Sequence, residues 1–170
     1  MVAVGLDPQG ARPVLLLREV GGRARTVPVL IGLPEAGDLE IQRHQVRAAR
    51  PQTHELICDV IEACGRRLER VRITELRDGI YHAELVLDQG LRVSSRLTDA
   101  VALALRLDLT IEAEEDVLEA GHTPVAVLGP DGDDIGDELG DDAGDAPIAP
   151  EEVDEFRRRI DEITPEDFED

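Results

Sequence analysis

Apolar residues come first as short unbroken runs. Val14-Leu15-Leu16-Leu17 and Val27-Pro28-Val29-Leu30-Ile31, set around Gly21-Gly22, read as two buried strands joined by a glycine turn. Pro34 followed by Glu35 marks a helix first turn, and the helix it opens runs toward Val46. Further on, Leu56, Ile57, Val60, Ile61 and Cys64 recur at the spacing of one helix face, a core stripe with Thr53 placed to cap its start and Gly65 to end it. The period then changes. Val71 and Ile73 alternate with charged or polar neighbours, Asp78-Gly79 supplies hairpin chemistry, and Ile80 to Leu87 reads as the return strand. Asp88-Gln89-Gly90 leads into a third strand of this meander, Leu91 to Ser95. Ala100-Val101-Ala102-Leu103-Ala104-Leu105, capped by Thr98 with Asp99 in the first turn, is apolar on so many sides that it predicts a buried helix. Leu109-Thr110-Ile111 reads as one more strand, and Glu114 to Ala120 as a short helix ended by Gly121.

These elements predict an α+β fold: a single compact domain over residues 1–128 with a mixed or antiparallel sheet and packed helices. The 170-residue length allows one such domain and something extra. From Gly129 to Ala149 aspartate and glycine dominate and apolar residues nearly vanish, a composition that predicts a disordered acidic linker. After Pro150, Val153, Phe156, Ile160 and Ile163 return at three- and four-residue steps. Glu151 and Glu152 stand at the start and Arg157 to Arg159 nearer the end, so residues 150–170 predict an amphipathic helix and tail. Its apolar side calls for a partner: its own body, a second subunit or another protein.

Charge follows the same division. The formal net charge is −20, yet residues 130–170 hold 18 acids and three arginines, leaving 20 acids and 15 arginines for residues 1–129. The body is mildly acidic and the tail carries the rest. Every basic side chain apart from histidine is arginine; the chain has no lysine. That excludes a Walker A lysine, a Schiff-base lysine, a nucleotidyl-lysine and the lysine of PD-(D/E)xK nucleases. Arginine, backbone N–H groups or a bound metal must neutralise any phosphate. Aromatic residues are 2% of the chain and tryptophan is absent, which excludes a base-stacking platform. No apolar run approaches the roughly 18 residues of a membrane span and no secretory leader is visible, so the expectation is a cytoplasmic protein with no membrane partner. Cys58 and Cys64 lie on different faces of one predicted helix and match no zinc or redox spacing; buried reduced thiols are expected.

Several motifs fail on inspection. Asp131-Gly132-Asp133-Asp134-Ile135-Gly136 opens like a calcium loop but has Ile135 at the fifth position and Asp142 where a bidentate glutamate belongs. Gly79-Ile80-Tyr81 is followed by no Tyr-Ile-Gly. No GxSxG, GxGxxG or HExxH occurs, and no organic cofactor is expected. What survives is a polar set at element starts: Glu35; Arg50, His54 and Glu55; Arg96, Thr98 and Asp99. It contains what metal-assisted phosphodiester cleavage needs. Glu35, Glu55 and Asp99 are candidate ligands for Mg²⁺ or Mn²⁺, His54 a general base or ligand, and Arg50 and Arg96 a phosphate clamp. The competing reading is a non-catalytic regulatory or assembly protein in which the threonines cap helices, Asp99 meets the helix dipole, and the arginines form ion pairs or bind a small anion.

The segments VPVLIGLPEA, RPQTHEL, DGIYHAELVL and RLTDAVALALRLDLTIEAEEDVLEAG resemble, in order and spacing, the bifunctional nuclease (BFN) family, over about residues 1–125. The resemblance implies a compact α+β fold, a homodimer, and nuclease activity on RNA and DNA of the kind credited to plant members. The family's Glu-Ala pair falls on Glu35-Ala36, its Arg-Pro-x-Thr-His-Asp run on Arg50, Pro51, Thr53, His54 and Glu55, and its Arg-Pro-Ser-Asp-Ala run on Arg96, Leu97, Thr98, Asp99 and Ala100. Glu55 replaces aspartate, Leu97 proline and Thr98 serine, and Glu55 and Thr98 keep the chemistry of the residues they replace. Ser94 and Ser95 stand where an acid usually precedes the second arginine, which removes one potential metal ligand. Because the tail repels phosphate, deleting residues 129–170 is expected to strengthen nucleic-acid affinity; equal binding with and without the tail would refute autoinhibition.

Overall fold

The structure, a computed structural model, describes residues 1–7, 12–46 and 48–122. The first apolar runs form an antiparallel sheet of Val2–Leu6 (β1), Pro13–Arg18 (β2) and Thr26–Leu30 (β3), in the order β1-β2-β3. The first of these strands is one that the pattern does not single out. As the central strand, β2 is buried from Pro13 to Leu17, as an unbroken apolar run demands.

The alternating segment forms the second sheet from Leu68–Arg77 (β4), Ile80–Leu87 (β5), Arg92–Arg96 (β6) and Ile111–Ala113 (β7), in the order β6-β5-β4-β7. The expected meander is present, and Asp78 and Gly79, at φ 52° and 76°, make the two-residue turn in which both central residues are left-handed. β7 pairs parallel to β4 and begins two residues past the predicted Leu109, because its register is fixed by Val71 opposite Ile111. The class is therefore α+β as expected, with the strands divided between two sheets.

Four helices complete the described chain: Leu33–Arg43 (α1), Thr53–Ala63 (α2), Leu97–Leu107 (α3) and Glu115–Gly121 (α4). The helix expected to be buried is α3. Leu97 and every residue from Ala100 to Ala104 are buried, and both α1 and α2 pack on it while it lies against β4 and β5. Its core neighbours include Leu15, Leu39 and Val71, so one core joins side chains of both sheets. At the C-terminal end of α3, Gln45 in left-handed conformation (φ 52°) donates through Nε2 to the Leu105 carbonyl at 2.9 Å, adding to the longer 3.4 Å bond that oxygen accepts from the Asp108 N–H.

Three local expectations are corrected. Thr53 and Thr98 are not caps: Gln52 and Arg96 occupy the N-cap positions, and neither helix has a side-chain cap. In α3 this follows because β6 runs straight into the helix, making the last strand residue the cap. The stripe on α2 is only partly core. Ile57, Cys58 and Ile61 pack inward, while Leu56 and Val60 are each 52% exposed, since α2 leans chiefly on α3 and leaves its outer edge bare. Cys64 is exposed rather than buried, and Cys58 is half-buried. Gly65 (φ 69°) does end α2, its N–H bonding the Glu62 carbonyl while Arg66 N–H reaches Ile61. The predicted linker and amphipathic helix, residues 129–149 and 150–170, lie outside the described residues. Among the described residues no helix is long and apolar enough to cross a membrane.

Arg25, only 7% exposed, ties the β2–β3 connection to α4. Its Nη2 lies 3.0 Å from Glu19 Oε1, and its Nη1 2.7 Å from Glu115 Oε1. Hydrogen bonds from Arg25 hold the Glu19 carboxyl down at about 2, against an ordinary 4.5, and lower that of Glu115 as well. A depressed carboxylate contributes its stability above the ordinary value and loses it as pH falls through the folded one. Arg25→Met is therefore expected to lower the unfolding midpoint at pH 7, with the gap to wild type closing between about pH 4.5 and 2; melts across that range measure it.

A second site of expected change is Gln42 on α1, 2% exposed with its Oε1 unpartnered among the described residues. Burying an unsatisfied acceptor costs about 1–3 kcal/mol, so Gln42→Met, close in volume, is expected to raise stability by about 1–2 kcal/mol in urea denaturation. A loss would mean that Oε1 has a partner.

Candidate functional site

Arg96 is at once the last residue of β6 and the N-cap of α3. Three residues on, Asp99 lies on the same side of the first turn, and the two meet in a fork: Nε to Oδ2 at 2.7 Å and Nη2 to Oδ1 at 2.9 Å. Nη1 of the same guanidinium reaches Glu35 Oε1 at 3.4 Å, from the first turn of α1. From behind, His54 Nε2 stands 3.4 Å from Asp99 Oδ1. An ionised carboxylate only accepts, so this contact requires the proton on Nε2.

The electrostatics follow from that arrangement. The Asp99 carboxyl is held below its ordinary value, first by the hydrogen bond from Arg96, against the effect of its own partial burial, with His54 adding in the same direction. Arg96 is correspondingly raised by Asp99. The side chain of Arg96 is nevertheless 69% exposed, whereas His54 as a residue is only 6% exposed. One group faces solvent and the other supports it.

The position of Glu35 depends on a residue that the motif reading passed over. Gly32 is the N-cap of α1, and a Cβ there would overlap the Glu35 carboxylate. The available sequence signal was a glycine just ahead of Leu33-Pro34-Glu35.

An open groove of about 610 Å³ runs past these groups. Residues 29–32 form one wall, 79–82 of the β4–β5 hairpin and 94–98 the others, and Glu35 and Arg96 are its only formally charged lining groups. Asp99 and His54 are not in the lining; they stand behind Arg96. Of the predicted site residues, the fold thus gathers Glu35, His54, Arg96 and Asp99, and Thr98 lines the groove. Glu55 turns the other way and pairs with Arg106 in the last turn of α3. Arg50 sits at the bend before α2, exposed, and forms no ion pair among the described residues.

Arg96 engages both oxygens of Asp99 and one of Glu35, Arg106 engages Glu55, and no cluster of three or more His, Cys, Asp or Glu suited to a metal occurs among the described residues. What the arrangement offers is a forked cation facing a groove, a carboxylate within its reach, and a rigid support.

Residues 15–126 match the family described as the bifunctional nuclease domain. Two Mycobacterium tuberculosis proteins, "Uncharacterized protein MT1877" of strain CDC 1551 / Oshkosh and "Uncharacterized protein Rv1829" of strain ATCC 25618 / H37Rv, are each 37% identical over 169 residues, covering 99% of this chain and 95% of theirs. The matched span runs from β2 through α4 and contains each of the four gathered side chains, and on that match the chain belongs to the bifunctional nuclease domain family.

Proposed function

We propose that the protein is a phosphodiesterase of the nuclease class, acting on RNA or DNA at the groove beside Arg96. The observation that carries this reading is the exposed Arg96 guanidinium on the groove wall with Glu35 at its Nη1. A phosphate entering the groove displaces Glu35 from Nη1 and takes the outward Nη1 and Nη2 protons with its non-bridging oxygens, while Asp99 keeps Nε. Glu35 then accepts a proton from the attacking water or ribose hydroxyl as the new phosphorus–oxygen bond forms. The bond to the leaving oxygen breaks, and that oxygen takes a proton from solvent. Asp99 keeps Arg96 aimed, and His54 holds Asp99; both are positioning residues.

A second reading, a non-catalytic regulatory protein that holds a small anion at Arg96, draws on a specific feature: each carboxylate of the cluster already has an arginine partner, and His54 is buried. Digestion of end-labelled RNA and DNA by the full-length protein separates the two. Parallel reactions contain Mg²⁺, Mn²⁺ or chelator, beside Glu35→Gln. Cleavage by wild type that falls about 10²-fold or more in Glu35→Gln is the expected result. No cleavage of either polymer in any reaction would favour the anion-binding protein.

A further inference from the structure

We infer that the groove takes a single nucleotide-sized phosphoester unit, a dinucleotide or the end of a strand, rather than a length of nucleic-acid backbone; the inference rests on the phosphodiesterase reading of Arg96. Affinity for a long strand comes from the number of phosphates neutralised, which needs cations spaced along a track. The groove lining continues no such track. On the four-stranded sheet Arg70 pairs with Glu112, Arg72 with Glu84 and Glu114, Arg77 with Glu75 and Arg92 with Glu84, and none of the four lines the groove. In the groove Arg96 is the lone arginine.

The rest of the groove fits the other half of a nucleotide. Its volume of about 610 Å³ falls within the range of small-ligand sites, about 300–1,000 Å³. Val29, Leu30 and Ile80 give it apolar walls, with Leu30 54% and Ile80 62% exposed and free to be covered by a base. Ser94 and Ser95 add hydroxyls beside Arg96, that of Ser95 donating to the Arg96 carbonyl at 3.0 Å and leaving its oxygen as an acceptor for sugar or base edges. An anion site at one end and apolar walls with hydroxyls along the remainder match one phosphate joined to one nucleoside. They do not match a repeating polyanion, and the net acidity of residues 1–129 opposes one.

Calorimetric titration of the full-length protein with the dinucleotide pApA, and with oligoadenylate of about 20 nucleotides, tests this at several salt concentrations. Corrected for sites per strand, the two affinities should agree within about threefold, and the salt slope should be near −0.7, the value for one neutralised phosphate on a single strand. Ile80→Glu, which sets a carboxylate on an exposed apolar wall, should weaken pApA binding about tenfold or more. An oligonucleotide more than about tenfold tighter, a slope steeper than about −3, or no binding of pApA would overturn the inference. The phosphodiesterase reading fails separately. Binding of pApA without cleavage of any substrate sinks that reading and leaves the groove assignment standing; cleavage of long strands with a steep slope does the reverse.

Discussion

Arg96→Ala is expected to lower the cleavage rate by about 10²- to 10³-fold, the usual consequence of removing one preorganised donor to a developing oxyanion. Stability should barely change. The Arg96 side chain is 69% exposed, and exposed ion pairs contribute about 0–1 kcal/mol. Asp99 keeps its His54 contact in the variant, and its carboxyl, released from Arg96, moves back toward its ordinary value while staying ionised at neutral pH. Arg96→Lys should recover only part of the rate, because an ammonium offers a point charge where the fork offers two parallel hydrogen bonds. The measurements are kcat and KM beside a thermal melt of each variant. A rate loss matched by a collapse of the melt would reduce Arg96 to a structural residue.

Two controls sharpen that result. Arg50 carries the same charge in a neighbouring motif but stands exposed at the bend before α2, so Arg50→Ala should leave kcat unchanged. Glu55 is bound to Arg106, with side chains only 21% and 13% exposed, so Glu55→Gln should move the melting midpoint and spare the rate. Equal rate losses in Arg50→Ala, Glu55→Gln and Arg96→Ala would mean that the whole polar set acts together, as its sequence spacing suggests.

The contrast between those residues shows what local pattern carries and what it does not. Arg96 and Asp99 are three apart at a helix start, and helix geometry alone puts them side by side. His54 meets Asp99 across 45 positions, and nothing in RPQTHEL says that its imidazole turns inward while Glu55, the next residue, turns toward the other end of α3. Side chains at consecutive helix positions point about 100° apart, so a motif read as one cluster is split as soon as the helix packs. The meander was legible for the opposite reason: alternation and an Asp-Gly turn are local. β7 was displaced because its partner, β4, is fixed by a parallel pairing some forty residues away. The caps at Thr53 and Thr98 failed on a local rule with an unseen competitor. In α3 the strand ends where the helix begins, and the junction residue is the arginine of the site.

Leu103→Ala should lower the unfolding free energy by about 3–5 kcal/mol, and Leu56→Ala by less than about 1 kcal/mol, although both leucines lie on apolar helix stripes. Leu103 is 1% exposed in the middle of α3, where its removal forfeits the transfer energy of the side chain and leaves a cavity that two sheets and two helices cannot collapse to fill. Leu56 is 52% exposed on the outer edge of α2, so its truncation removes surface already wet. Urea denaturation with a common slope gives both values. The pair also bears on the site, because α3 is the element that carries Asp99 and whose N-cap is Arg96. If the helix is the rigid support argued for above, Leu103→Ala should lower the cleavage rate below the unfolding transition even though Leu103 is not among the groove-lining residues, while Leu56→Ala should leave it intact. An unaltered rate in a folded but destabilised Leu103→Ala protein would mean that the Arg96 fork holds its own geometry without help from the core beneath it.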